Sequence, residues 1–269
     1  MKPVKSDPLS FAVAERDAQT LDLVQAAIKR QNVLLAFQPV VQAKNPKKPA
    51  FYEGLVRVLD TTGRIIPAKD FIDTIETTTI GRQIDCLSLK LGLETLAATP
   101  GLRLSINMSA RSIGFKRWLE TLELGLRLSP TVAERLILEI TEASAMIMPD
   151  TVQAFMADLQ TRGVTFALDD FGAGYTSFRY LRDFYFDILK IDGQFIKDIN
   201  KNTDNQILAQ ALISIGQHFD MFTVAEFVET GEEAAFLADI GIDCLQGYYI
   251  GKPTTRPYWT TAETRRQTA

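Results

Sequence analysis

At 269 residues, with 46% apolar side chains and a formal net charge of −4, the chain can build one sizeable core and has no broad basic face for nucleic acid. Its single histidine, His218, argues against His-dependent hydrolases and against metal sites made of several imidazoles. Two cysteines, Cys86 and Cys244, are too few and too far apart for a disulfide framework and suit a reducing cytosol.

In chain order, Lys2 and Lys5 are not followed by an apolar stretch long enough for a signal peptide. No run approaches the ~20 apolar residues of a membrane helix. The expectation is a soluble, cytoplasmic protein with residues 1–20 as a mobile N-terminal extension, 21–259 as one domain and 260–269 as a polar tail. Leu21, Val24, Ala27 and Ile28 have the spacing of an amphipathic helix leading into a first strand.

Eight short apolar runs then recur at helix-length intervals. They are LLAFQPV with Gln38, FYEGLVR with Glu53, RLSIN ending at Asn107, LILEITE with Glu139, TFALDD ending at Asp170, DILKID with Lys190, FTVAEFVE with Glu226 and DCLQGYY with Gln246. Continuous apolar runs are the mark of buried parallel strands, and their alternation with helical segments argues for βαβ units. Helix signals lie between them: Pro67 and Pro149 near helix starts, Ser109 and Ser112 as caps, Gly163 as a stop, and Thr203 and Thr230 as further starts. Eight strands in a chain of this length predict a single TIM-like (β/α)8 barrel, whose chemistry sits at the strands' C-terminal ends.

Glu53, Asn107, Glu139, Asp169, Asp170, Glu226 and Glu229, with Lys190 and Gln246, lie at or near those ends. So many carboxylates around one mouth repel each other unless cations neutralise them, and all-oxygen donors select hard ions such as Mg²⁺ or Mn²⁺. The adjacent Asp169 and Asp170 offer a bridging group and a neighbour for a two-metal site of the kind that serves phosphoryl displacement.

These residues carry a family resemblance. The chain resembles the EAL-domain cyclic-di-GMP phosphodiesterases over about residues 20–258, with Glu53-Gly54-Leu55 at the signature, then INMS, LEITE, DDFGAGYTS, KID, AEFVE and QGYYIGKP in order. The resemblance implies hydrolysis of cyclic di-GMP to linear pGpG by two Mg²⁺ or Mn²⁺ ions. Glu53, Asn107, Glu139 and Asp169 would hold one ion. Asp169 would bridge to the other, joined by Asp170 and Glu226. Lys190 would orient the attacking water or a phosphate oxygen, and Glu226 is the candidate general base, if one is needed beside the ions. Arg57 would contact phosphate, Gln38 and Leu55 would line the ligand pocket, and Glu229 and Gln246 would support the ligands or face substrate. Glu142 would anchor a mobile loop after the fifth strand of the family's count, which contains Gly172 and Gly174, and link it to a homodimer interface. No nucleic-acid polymer or membrane is implied as a partner.

The chain departs from the family pattern at three places: Gly54 stands for Ala, Phe227 for Gly, and Phe184-Tyr185-Phe186 for a segment with Leu-Pro. Alternation along a strand would turn Phe227 away from Glu226, toward buried positions under the helices. The rival readings are a cyclic-di-GMP receptor that barely cleaves, and a barrel glycosidase using Glu139 and Glu226. The second leaves Asn107, Asp169-Asp170 and Lys190 unexplained.

Overall fold

The structure, a computed structural model, describes residues 8–173 and 181–259. Helix α1 (Pro8–Lys29) leads into β1 (Val33–Gln42), which turns at once into β2 (Asn45–Leu59), and the short β3 (Ile65–Pro67) folds back on β2. Helices α2 (Ile72–Ile75) and α3 (Thr79–Ala98) precede β4 (Leu104–Asn107), and α4 (Lys116–Leu128) precedes β5 (Leu136–Thr141). Then follow α5 (Glu142–Ala145), α6 (Pro149–Thr161), β6 (Thr165–Phe171) and β7 (Ile188–Ile191). The described chain ends with α7 (Gly193–Ile196), α8 (Thr203–His218), β8 (Phe222–Ala225), α9 (Gly231–Asp239) and β9 (Cys244–Leu245).

The sheet runs β1-β9-β8-β7-β6-β5-β4-β2-β3, and β1 also pairs with β2, so the ring closes and β3 hangs outside it. The barrel expected from the eight apolar runs is therefore present, with one correction. β1 is antiparallel to both of its neighbours, whereas the pairings among β2, β4 to β9 are parallel. The cause lies in the connection: β1 ends at Gln42 and β2 begins at Asn45, and a turn that short can join only antiparallel strands.

Inside the ring, side chains alternate between lumen and exterior. Val40, Phe51, Ile137, Ala167, Ile188, Val224 and Cys244 form a separate apolar cluster, the floor of the lumen. Two residues beyond the floor residues of β2, β5, β6, β7, β8 and β9 come Glu53, Glu139, Asp169, Lys190, Glu226 and Gln246, all buried. On β1 the step is reversed: Gln38 lies two residues before Val40, as an antiparallel strand requires. Period-two geometry thus stacks a polar layer directly on an apolar one. The larger core cluster lies outside the ring and includes Trp118, Phe166 and Leu189.

Several helices begin where the sequence signals them, whereas α4 starts after Phe115 with no cap from Ser109 or Ser112. Thr78 caps α3 by accepting from the Ile80 and Gly81 amides, Pro149 sits at the start of α6, and Thr230 and Glu233 form a reciprocal capping box on α9. Ser109 caps only a 3-10 turn, Ala110–Ser112, and Pro67 likewise precedes a short 3-10 turn. At the N-terminus, the helix expected from Leu21 already runs from Pro8, so the segment expected as a mobile extension is helical from there on. Val24 and Ala27 anchor it in the core, and Ala14 and Ala18 favour its continuation backward. Phe184 and Phe186 bury and stack at 5.6 Å, leaving Tyr185 outside. The loop expected after β6 is described only as far as Ala173; residues 174–177 and the polar tail lie outside the described residues.

Candidate metal centre

The polar layer is organised around one ammonium. Lys190 Nζ lies 2.8 Å from Asp169 Oδ1, 2.9 Å from Glu139 Oε2, 2.9 Å from Glu226 Oε1 and 3.6 Å from Glu53 Oε2. Its aligned hydrogen bond goes to Glu139; the Asp169 contact is close but out of hydrogen-bond alignment, so it acts through charge. Lys190 is fully buried, which opposes its charge, yet Asp169, Glu139, Glu226 and Glu53 together raise its pKa well above the ordinary lysine value. It remains an ammonium.

The carboxylates respond in opposite ways. Burial, reinforced by Glu53 and Asp169, pushes Glu139 up to about 8 against the pull of Lys190. Burial likewise raises Glu226 well above the carboxylate range. Burial acts on Glu53 too, but the charge of Lys190 and hydrogen bonds from Gln246 and Asn107 bring it below its ordinary value. Asn107 Nδ2 donates to Glu53 Oε1 at 2.7 Å, and Gln246 Nε2 donates to Oε2 at 2.5 Å. Gln38 extends this chain, accepting from Gln246 Nε2 at 3.4 Å while donating to Gly251 O at 3.0 Å.

Asp169 and Asp170 are neighbours in sequence, and a regular strand would send them to opposite faces. The β6–β7 register shifts between Leu168 and Phe171, and Asp170 has φ +53°. This irregularity lets both carboxylates face the same site. Burial, then repulsion from Asp169, pushes Asp170 up to about 6.

Two groups of carboxylates are close enough to hold an ion: Glu53, Glu139 and Asp169, and Asp169, Asp170 and Glu226, with ligand atoms within 4.8 Å of one another in each. The groups share Asp169. Glu139 Oε1 and Glu226 Oε2 are buried with no hydrogen-bond partner among the described residues. Hard oxygen donors with unused lone pairs fit a hard divalent cation.

The other expected residues are placed as follows. Arg57 is half-buried, donates to Val56 O at 2.9 Å, and lies close enough to Glu53 and Asp70 for their charges to act on it. Leu55 is half-buried beside it on β2. Glu142 is buried, and its Oε2 accepts from the Gly172 amide at 3.4 Å. Glu229 is not drawn into the cluster: it is exposed, and its amide donates to Glu233 Oε2 at 2.9 Å.

Phe227 requires a correction. β8 ends at Ala225, and Phe227 has φ +54° with 61% of its surface exposed, its ring resting against Gly193. Strand alternation therefore does not reach it, and it buries no place beneath the helices. Glycine is the residue a left-handed backbone position favours.

Two residues escaped the sequence reading. Asp85 is buried on α3 and accepts from the Ser109 amide at 3.1 Å and from Ser112 Oγ at 2.5 Å, fixing the turn that follows Asn107. Its signal was an acid on the apolar face between Ile84 and Leu89. Tyr248 is an exposed aromatic immediately beyond Gln246-Gly247, and the Lys252 ammonium sits 5.3 Å from its ring centroid.

Among the described residues, the barrel mouth gathers carboxylates around one buried lysine, an arrangement able to hold divalent cations. The chain belongs to the EAL domain family, which residues 22–253 match. It is 31% identical over 234 residues to the cyclic di-GMP phosphodiesterase PdeB of Shewanella oneidensis, covering 86% of this chain and 27% of that protein. It is 31% identical over 238 residues to the cyclic di-GMP phosphodiesterase PdeF of Escherichia coli, covering 87% and 31%. The chain thus spans less than a third of the length of these curated relatives. Among solved structures, the PaMucR phosphodiesterase in complex with c-di-GMP superposes with a TM-score of 0.77 at 28% identity, covering 90% of this chain and 99% of that one. The FimX EAL domain from Pseudomonas aeruginosa bound to c-di-GMP gives 0.80 at 25% identity, covering 88% and 97%. No helix among the described residues is long and apolar enough to cross a membrane.

Proposed function

We propose that this domain hydrolyses one phosphodiester bond of cyclic di-GMP, releasing linear pGpG, with two divalent cations, Mg²⁺ or Mn²⁺. The observation that carries the reading is the pair of carboxylate groups sharing Asp169. Charge balance supports the number of ions. Glu53, Glu139, Asp169, Asp170 and Glu226 carry five negative charges when ionised and Lys190 one positive, leaving four, which two divalent cations neutralise.

Glu53, Asn107, Glu139 and Asp169 would hold one ion, and Asp169, Asp170 and Glu226 the other. Bound there, such ions neutralise developing phosphoryl charge and ease deprotonation of water. Lys190 keeps the mutually repelling acids in one layer, and Glu139 Oε1 and Glu226 Oε2 keep their lone pairs unused among the described residues. Glu226, whose Oε2 has no hydrogen-bond partner among the described residues, would take the proton of the attacking water, and Asp170 would be the neighbouring acid that relays it. Arg57 presents a permanent cation for a phosphate, with Gln38, Leu55, Gln246 and Glu229 around the ligand. A homodimer and a cytosolic setting complete the reading; the free, buried Cys86 and Cys244 suit the latter.

The test is incubation with cyclic di-GMP and Mg²⁺ or Mn²⁺, with the product identified by chromatography. Formation of pGpG, abolished by chelation and by Asp169→Asn, is expected. Binding without turnover would establish the receptor reading instead.

A further inference from the structure

We infer that Gln194 is a positioning residue that fixes the Asp169-Asp170 pair by clamping the carbonyl of Gly172, an inference that rests on the metal-dependent reading of this site. Asp170 to Ala173 forms a turn closed by a 3.1 Å hydrogen bond from the Ala173 amide to the Asp170 carbonyl. Gly172 is the third residue of that turn, with φ +94°. It is held from three directions. Its amide donates to Glu142 Oε2 at 3.4 Å, its carbonyl accepts from Gln194 Nε2 at 2.8 Å, and a Cβ on it would come within 2.4 Å of the Phe195 ring. The Gln194 bond is the shorter of the two.

Gln194 is itself braced. Asp192 Oδ1 accepts from its amide at 2.8 Å, and Asn205 Nδ2 donates to the Gln194 and Lys197 carbonyls at 3.1 and 3.0 Å. Helix α7 is thereby tied to α8 and reaches across to the end of β6. The turn matters because Asp170 stands in a left-handed conformation, φ +53°, which costs an L-residue free energy and which the turn helps to hold. Without Gln194, the 172–173 peptide can rotate, and the turn no longer fixes which way Asp170 faces. The side-chain amide bonds to the Gly172 carbonyl rather than to any of the clustered carboxylates, so its effect passes through Gly172.

The experiment compares the parent with Gln194→Ala, Gln194→Glu (equal length, no donor) and Gln194→Lys (donor restored). Three quantities are read: amide hydrogen exchange of the segment around Gly172 in cation-free protein, Mn²⁺ affinity by calorimetry, and kcat and KM. Loss of one neutral hydrogen bond should speed exchange, weaken Mn²⁺ binding and lower kcat by ~3–10-fold in the Ala and Glu variants, with KM changing less than ~2-fold. Gln194→Lys should recover most of each. The Glu142→Ala, Gln194→Ala double variant should lose less than the product of the single losses, since both act on one residue. Unchanged exchange and Mn²⁺ affinity in the Ala and Glu variants would overturn the inference, as would a lowered melting temperature with all three readouts intact. A parent that shows the expected exchange and Mn²⁺ effects yet no turnover would support the clamp and overturn the phosphodiesterase reading alone.

Discussion

Ile106 fills the space that a methyl group on Gly54 would need. A Cβ built on Gly54 would lie 2.7 Å from Ile106 Cδ1, and one built on Gly92 of α3 would meet the same atom at 2.7 Å. An alanine at position 54 would crowd this side chain of the neighbouring strand. Gly54→Ala should therefore destabilise the fold by ~1–3 kcal/mol through overpacking beside Glu53. Ile106→Val removes the offending methyl, so the double variant should be more stable than the sum of the single changes implies, by ~0.5–3 kcal/mol. Denaturant melts of the four proteins measure this directly, and strict additivity would refute the packing account.

Phe227→Gly should keep or raise the melting temperature. The left-handed backbone at Phe227 costs about 1–2 kcal/mol for an L-residue, and the greater freedom of glycine in the unfolded chain returns about 0.5–1 kcal/mol of that. Phe227→Ala keeps the backbone cost and loses the ring's contact with Gly193, so it should melt below the glycine variant. The reverse order would mean that residue 227 is not left-handed in solution.

The cation-free protein should lose stability as pH rises from about 5 to 8. Glu139 is held up to about 8 in the fold, and Glu226 is raised in the same direction, so the folded state binds protons that the unfolded state has released. Stability from a raised carboxyl is complete below its unfolded pKa and is gone above the folded one. Saturating Mg²⁺ or Mn²⁺ should flatten the slope by replacing those protons. Lys190→Met should steepen it and lower stability at pH 8 by ~3–5 kcal/mol, because four carboxylates lose their shared partner. Melts across pH with and without cation decide it; a slope indifferent to cation would sink the shared-site picture.

Asp85 contributes a separate slope. Burial pushes it up to about 6 despite hydrogen bonds from Ser112 and Ser109, so the parent loses stability as pH rises from about 4 to 6. Asp85→Asn retains an acceptor without the ionisation. Its melting temperature relative to the parent should improve across that window and stay level above pH 7. A constant difference from pH 4 to 8 would show that Asp85 is an ordinary ionised acid.

The barrel was legible because each lumen strand writes its two layers into sequence. Ile137 and Glu139, Ile188 and Lys190, Val224 and Glu226 each pair an apolar floor residue with a functional one two places on. Less legible were features set by backbone rather than side chain. Nothing in the identity of Asp170 announces the irregularity that turns it toward Asp169, and nothing in Phe227 announces a left-handed residue. Residue type constrains such conformations strongly only for glycine and proline. Lys190 was visible as a functional residue, but its place among four carboxylates depends on strands far apart in the chain. The direction of β1 could have been read from its two-residue connection to β2, which excludes a parallel crossover.

That reversed first strand also sets when the site can exist during synthesis. The β1–β2 hairpin is local and can form as soon as it emerges, whereas the ring closes only where Val41 and Gln42 meet Leu245 and Cys244, about 200 residues later. Gln246, which holds Glu53 in place, follows immediately, and Phe37 is then sealed by Thr254. At ~5–20 residues per second, the stretch from β6 to β9 leaves a nascent chain about 4–15 seconds with the acids of β2, β5 and β6 made but unassembled. Cations, however abundant, meet no completed cradle until nearly the last strand has left the ribosome.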